Sequence, residues 1–73
     1  MISKDYHGYY LDEALVDVER VIGRVRVAGK VEQAEFITGF GVIRTEIFNL
    51  LERYSLEPTH KIGNEGTIIV IIE

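Results

Sequence analysis

Five consecutive aliphatic residues, Ile68 to Ile72, constrain the fold more than any other segment. A strand with one dry face alternates apolar and polar residues. A strand that is apolar at every position belongs inside a sheet with both faces covered. The run is also the longest apolar stretch in the chain and far too short to span a membrane. Its neighbours must come from only 73 residues, enough for one domain (residues 1–73) with a radius of gyration of about 11 Å. A domain of this size buries only roughly 60% of its unfolded surface. The absence of cysteine rules out disulfides and a thiolate zinc site, and His7 and His60 are too few for a structural zinc site. The core must suffice or a partner must help. A hydrophobic fraction of 47% places the chain well outside the disordered class.

The remaining segments supply those neighbours. Ile2–Tyr6 ahead of His7-Gly8 reads as a short strand. Leu11–Ala28 carries apolar residues at Leu11, Ala14, Leu15, Val18, Val21, Ile22, Val25 and Ala28, one continuous helical stripe. Asp12 and Glu13 in its first turn and Arg24 and Arg26 near its end suit the helix dipole. Ala34–Thr38 reads as a second strand and Gly39-Phe40-Gly41 as a break. Val42–Tyr54 is a second helix with the stripe Ile43, Ile47, Leu50, Leu51, Tyr54. After Pro58, Thr59–Ile62 is a third strand, Gly63-Asn64-Glu65-Gly66 a hairpin turn and Thr67–Ile72 the last strand. The order is βαβαββ. Right-handed crossovers and an interior position for the last strand select the spatial order 1-2-4-3. The result is an α/β two-layer sandwich: a four-stranded mixed sheet with two helices on one face.

This arrangement leaves a tension on the other face. One of the sets Ile68/Val70/Ile72 and Ile69/Ile71 meets the helices, and the other faces outward. Either long neighbouring side chains cover the outward set, or it is a contact surface for a second copy or a partner protein.

Eight basic against twelve acidic residues give a net charge of −4. Global attraction to nucleic acid or anionic lipid is disfavoured, leaving only a local patch. With no signal-peptide pattern and no membrane span, the expected location is the cytoplasm.

Parallel strands end at one edge, where ligand sites of open α/β sheets gather. Asp5-Tyr6-His7-Gly8 and Thr38-Gly39-Phe40-Gly41 end there, the latter opening into a helix. Glycines let backbone N–H groups face an anion, and a helix N-terminus favours negative charge. Arg44 can add a bidentate phosphate contact. The His7 imidazole is suited to proton transfer near neutral pH. Asp5, two residues earlier, would lie on the same side of a strand and could orient that ring or hold a divalent cation such as Mg²⁺ or Mn²⁺. Each feature also has a plain reading. Gly-x-Gly is a common turn, Asp-x-His serves structural hydrogen bonds, and Arg44 reads as a solvated helix residue. His60 reads as a surface histidine, and Asp12, Glu13, Asp17 and Glu19 as a solvated helix face. Tyr6, Tyr9 and Tyr10 read either as stacking platforms for bases or as packing for the core and loop.

Taken together, the motifs resemble the Smr (small MutS-related) domain family. Asp5-Tyr6-His7-Gly8 with Leu11-Asp12-Glu13-Ala14 is similar to its Leu-Asp-x-His-Gly opening and Glu-Ala-bearing helix. Thr38-Gly39-Phe40-Gly41 is similar to its His/Thr-Gly-x-Gly loop and Ile43-Arg44 to its Leu-Arg pair. Gly63–Gly66 followed by Thr67-Ile68-Ile69-Val70 is similar to its terminal Gly-x-Gly-x-Thr-x-Val. The resemblance covers nearly the whole chain, in order. It implies a βαβαββ two-layer fold, nucleic-acid binding and, as in several members, endonuclease (nicking) activity on DNA or RNA. It implies catalytic roles for Asp5 and His7, and nucleic-acid or phosphate contacts from Gly8, Thr38, Gly39, Phe40, Gly41 and Arg44. The chain departs from the family pattern at several positions. Lys4 replaces Leu, Thr38 stands where His is frequent, Phe40 stands where Lys is frequent, and Tyr10 occupies the helix cap. The Gly41–Arg44 stretch is also about two residues shorter than in typical members. The competing expectation is a non-catalytic interaction module, a homo-oligomer or accessory domain working through the final-strand face.

Overall fold

The computed structural model covers Met1–Glu73. Its elements run β1 (Ile2–Asp5), α1 (Leu11–Val27), β2 (Glu32–Ile37), α2 (Val42–Arg53), β3 (Thr59–Lys61) and β4 (Asn64–Ile72). They form one four-stranded sheet in the order β1-β2-β4-β3, with β1 and β2 parallel and β4 antiparallel to both β2 and β3. The expected topology is therefore present, and the radius of gyration is 11.1 Å. No helix is long and apolar enough to cross a membrane.

Ile68, Val70 and Ile72 are the residues of β4 that meet the helices, and all three are buried. In the β4 register Ile68 and Val70 align with Phe36 and Ala34 of β2, also buried, and Ile72 with Glu32. Val18, Val21, Ile22 and Val25 of α1 and Ile47, Leu50 and Leu51 of α2 complete the core. Each aliphatic side chain fully removed from water here contributes roughly 1.5–3 kcal/mol.

The opposite set has two different fates. Ile69 pairs with Glu35 on β2 and Thr59 on β3, and it is half-buried. The Lys61 ammonium reaches Glu35 at 3.4 Å, so this ion pair spans β4 from strand to strand beside Ile69. Long charged side chains thus cover part of the outer face with their methylene stems. Ile71 stays 51% exposed.

The hairpin differs from expectation. β4 begins at Asn64, opposite Lys61, and the turn is Ile62-Gly63. Gly63 adopts φ +81°, so the tight turn closes two residues earlier than the Gly63–Gly66 motif suggests. His60 pairs with Ile68 while Lys61 pairs with Asn64. Glu65, Gly66 and Thr67 therefore bulge away from β3. On its other side β4 keeps its register with β2, and the ladder continues past Ile37–Thr67: the Gly66 carbonyl accepts Thr38 N–H at 2.8 Å and also Gly39 N–H at 3.1 Å.

Polar ties join the helices to the sheet. Asp17 and Glu19 are not merely a solvated face. The buried Tyr6 hydroxyl donates to Asp17 at 2.8 Å, and Lys4 and Arg20 flank the same carboxylate at 3.7 and 3.6 Å. The Tyr54 hydroxyl donates to Glu19 at 2.7 Å, linking the end of α2 to α1. Arg26 donates to the Tyr54 carbonyl at 2.8 Å and lies over the Tyr54 ring. At the start of α1 the Glu13 carboxylate accepts the Tyr10 N–H at 3.1 Å, which ties the N-cap backbone to the first turn.

Candidate nucleic-acid interface

Parallel pairing brings the ends of β1 and β2 together, and Tyr6 N–H continues the ladder by donating to the Ile37 carbonyl at 2.8 Å. Two loops emerge side by side. In the first, Tyr9 N–H donates to the Tyr6 carbonyl at 3.0 Å and Gly8 takes φ +85°, a conformation that requires little of glycine and much of other residues. The Asp5 carboxylate accepts the His7 backbone N–H at 2.9 Å. This corrects the expected partnership with the His7 ring. β1 ends at Asp5 and His7 belongs to the turn, so the strand's two-residue alternation does not extend to it. Asp5 holds the turn's backbone, and the His7 side chain stands exposed above it.

Tyr6 leaves the set of candidate stacking residues because its ring is buried against Phe36, with centroids 5.8 Å apart. Burial and the Asp17 carboxylate push its phenol well above the usual tyrosine range. Tyr9 packs edge-on against Tyr6 at 5.2 Å. Tyr10 is exposed but sits at the start of α1.

The second loop is built to hold its backbone open. Thr38 is buried, and its hydroxyl is directed at the Gly66 and Gly39 carbonyls, 3.1 and 3.0 Å away. That makes Thr38 a latch onto β4, with its hydroxyl unavailable to a ligand. Gly39 takes φ +72°, and Gly41 is the N-cap of α2 in extended backbone. A glycine N-cap has no side chain to satisfy the first N–H groups of the helix, and the first turn of α2 contains no acidic residue. Arg44 occupies that turn instead. Its guanidinium carbon lies 5.3 Å from the centroid of the Phe40 ring, within cation–π range. Phe40 is 72% exposed, a poor position for a large apolar ring unless something stacks on it.

Phe40 and Arg44 begin a groove of about 380 Å³ that continues along α2 over Thr45, Phe48 and Asn49 to His60 on β3. Its lining contains two aromatic rings, a guanidinium, an imidazole, a hydroxyl and an amide, and no carboxylate. His60 is half-buried rather than a free surface residue. Its ring stacks on Phe48 at 4.9 Å with an interplanar angle of 24°, and its Nδ1 is buried without a hydrogen-bond partner. The sequence reading missed Phe48, Asn49 and His60 as site residues. The spacing of Phe40, Arg44 and Phe48 by four residues places an aromatic and basic line beside the apolar stripe of α2, and that was the available signal.

Asp5, His7 and the glycine loop thus share one sheet edge with Arg44, while Thr38 serves the scaffold. No group of three or more His, Asp, Glu or Cys side chains converges as metal ligands. The chain matches no protein-family model, no curated protein and no solved structure in the comparisons made.

Proposed function

We propose that the chain binds single-stranded nucleic acid along the groove that runs from the Gly39–Gly41 loop over α2 to His60. The observation that carries this reading is the exposed Phe40 ring stacked with Arg44 in a lining free of carboxylates, on a chain of net charge −4. Each part has a use. Unpaired bases stack on exposed aromatic rings, and a guanidinium beside uncapped helix N–H groups suits a phosphate. The acidic excess lies outside the groove, so binding would be local and sensitive to salt. Resemblance to the Smr family through Asp5-x-His7-Gly8 and Gly39-x-Gly41 supports the same edge.

Fluorescence anisotropy with labelled single-stranded and duplex oligonucleotides at low salt tests the proposal. Single strands should bind more tightly. Phe40→Ala should weaken binding by about fivefold or more, since base–aromatic stacking is worth roughly 1–3 kcal/mol. Arg44→Ala should lower the salt slope by about one counterion. Binding unchanged in both variants refutes the proposal.

Strand cleavage is a second reading, favoured by the exposed His7 imidazole on the turn that Asp5 holds. His7 would then transfer the proton and Asp5 would position its backbone. A His7→Ala protein that nicks a mixed DNA and RNA panel as well as the wild type, with Mg²⁺ or Mn²⁺ present, would remove this reading and leave binding intact.

A further inference from the structure

β1 is an edge strand, paired with β2 on one side and with nothing on the other. Tyr6 N–H points at β2, so alternation turns Ile2 and Lys4 the same way and leaves the N–H and C=O groups of Ser3 and Asp5 facing the open edge. Beside that edge α1 overhangs the sheet and forms a groove of about 320 Å³. Its floor is apolar, with Ile2, Val21 and Val25. Its rim carries Lys4, Arg24 and Lys30 against one carboxylate, Glu32. Lys4 is paired with Asp17, whereas Arg24 and Lys30 make no salt bridge. A cationic rim on an acidic chain, next to unpaired backbone groups, has a definite complement.

We propose that this edge docks an extended acidic peptide from a partner protein. The peptide adds to the sheet as a fifth strand along β1. Backbone hydrogen bonds to Ser3 and Asp5 supply affinity, as in other cases of strand addition. Every second side chain of an added strand points toward the helix layer, as Ile2 and Lys4 do. An aliphatic residue there rests on Ile2, Val21 and Val25, and carboxylates at its flanks meet Arg24 and Lys30. A second copy of β1 suits the site less well, because it would bring its own Lys4 to the same cationic rim. This surface lies on a different edge from the nucleic-acid groove and stands independently of that reading.

The test is an NMR titration of the full chain with a ten-residue alternating Glu/Val peptide, using a Lys/Val peptide as control. The expected result is saturable shifts centred on the Ser3 and Asp5 amides and on Val21 and Val25, with the Glu/Val peptide only. The double substitution Arg24→Glu, Lys30→Glu changes two exposed side chains and should weaken binding at least tenfold. It should also allow the Lys/Val peptide to bind. Ser3→Pro removes a free-edge N–H without touching the β2 ladder and should abolish binding while the far-UV spectrum is retained. Three results would each overturn the proposal. One is the absence of peptide-induced shifts at Ser3 and Asp5. Another is equal affinity in the charge-reversed variant. The third is concentration-dependent shifts at the same amides without peptide, which would identify a second copy as the occupant.

Discussion

Replacing Gly41 by Asp should strengthen the fold and weaken nucleic-acid binding in the same molecule. Gly41 is the N-cap of α2, and its φ of −89° is one that any L-residue adopts. A Cβ built there has no heavy atom within 4 Å, so the substitution fits. Asp is among the best N-cap residues. Exchanging glycine for it gains a few tenths of a kcal/mol from the cap and about 0.3–1 kcal/mol from the helix dipole, in a first turn that has no acidic residue now. The same carboxylate occupies the N–H groups proposed to face phosphate and places a negative charge beside Arg44. Two unit charges about 4 Å apart repel by about 1 kcal/mol in water and more near a protein surface. Affinity should therefore fall roughly 5- to 30-fold, given that about 1.4 kcal/mol is a factor of ten. Gly41→Asn is the control, because it caps comparably without charge. Urea denaturation should place both variants at or above the wild-type midpoint, and anisotropy at low salt should show the Asp variant binding more weakly than the Asn variant. Equal oligonucleotide affinity in the wild type and the Asp variant, with the midpoint raised, would refute the reasoning. Phosphate would then not approach the start of α2.

Other perturbations test the scaffold. Gly39→Ala should destabilise by roughly 1–2 kcal/mol, because φ +72° is left-handed even though space is open around it, and a denaturant midpoint measures the loss. Ile68→Ala should cost roughly 2–5 kcal/mol and Ile71→Ala under about 1 kcal/mol, since the first is buried and the second is half-exposed; equal costs would contradict the assigned strand faces. Tyr6→Phe should lose about 1–2 kcal/mol near neutral pH with the bond to Asp17. Burial and Asp17 hold the folded phenol neutral above the usual tyrosine range, so its contribution is full below about pH 10 and is lost as pH rises further, because the unfolded chain releases that proton first. Denaturation titrated into alkali should show a steeper loss for the wild type than for Tyr6→Phe, and parallel curves would contradict the assignment.

The layer architecture was legible because hydrophobic period and hydrophobic continuity say different things. The α1 stripe from Ala14 to Val25 has helical spacing and is buried along its length. Ile68–Ile72 has no spacing at all, which is what placed β4 inside the sheet. What stayed hidden depended on partners distant in sequence. The Glu35–Lys61 pair flanks Ile69 only because β4 lies between β2 and β3. Asp17 looked solvated because Tyr6 is 11 residues away and the other half of the bond lies on a strand. The hairpin was misjudged by two residues because Gly63 and Gly66 both look like turn glycines. Only Gly63 has the left-handed φ a turn demands, while Gly66 lies in the β4 bulge.

The β2–β4 ladder links the core strand to the candidate site. On the β2 side the register runs on unshifted from Ile37–Thr67 to Thr38 and Gly66, so the Gly66 carbonyl faces β2 by the ordinary alternation of the ladder. This one carbonyl receives the N–H groups of Thr38 and Gly39 and faces the Thr38 hydroxyl. Gly39 Cα and the Phe40 ring come to rest 3.4 Å from where a Cβ on Gly66 would be, and the loop lies directly on the strand. The glycine loop is therefore anchored by the most buried strand of the sheet, although its outer surface is open. An exposed aromatic ring on a floppy loop loses conformational entropy when a base stacks on it. A ring whose neighbouring backbone is already tied to β4 has lost most of that freedom in folding. For Phe40 this anchor on the Gly66 carbonyl supplies preorganisation. Loosening it through Thr38→Val, which keeps the shape but removes the hydroxyl, should weaken nucleic-acid binding by more than its modest effect on stability would suggest.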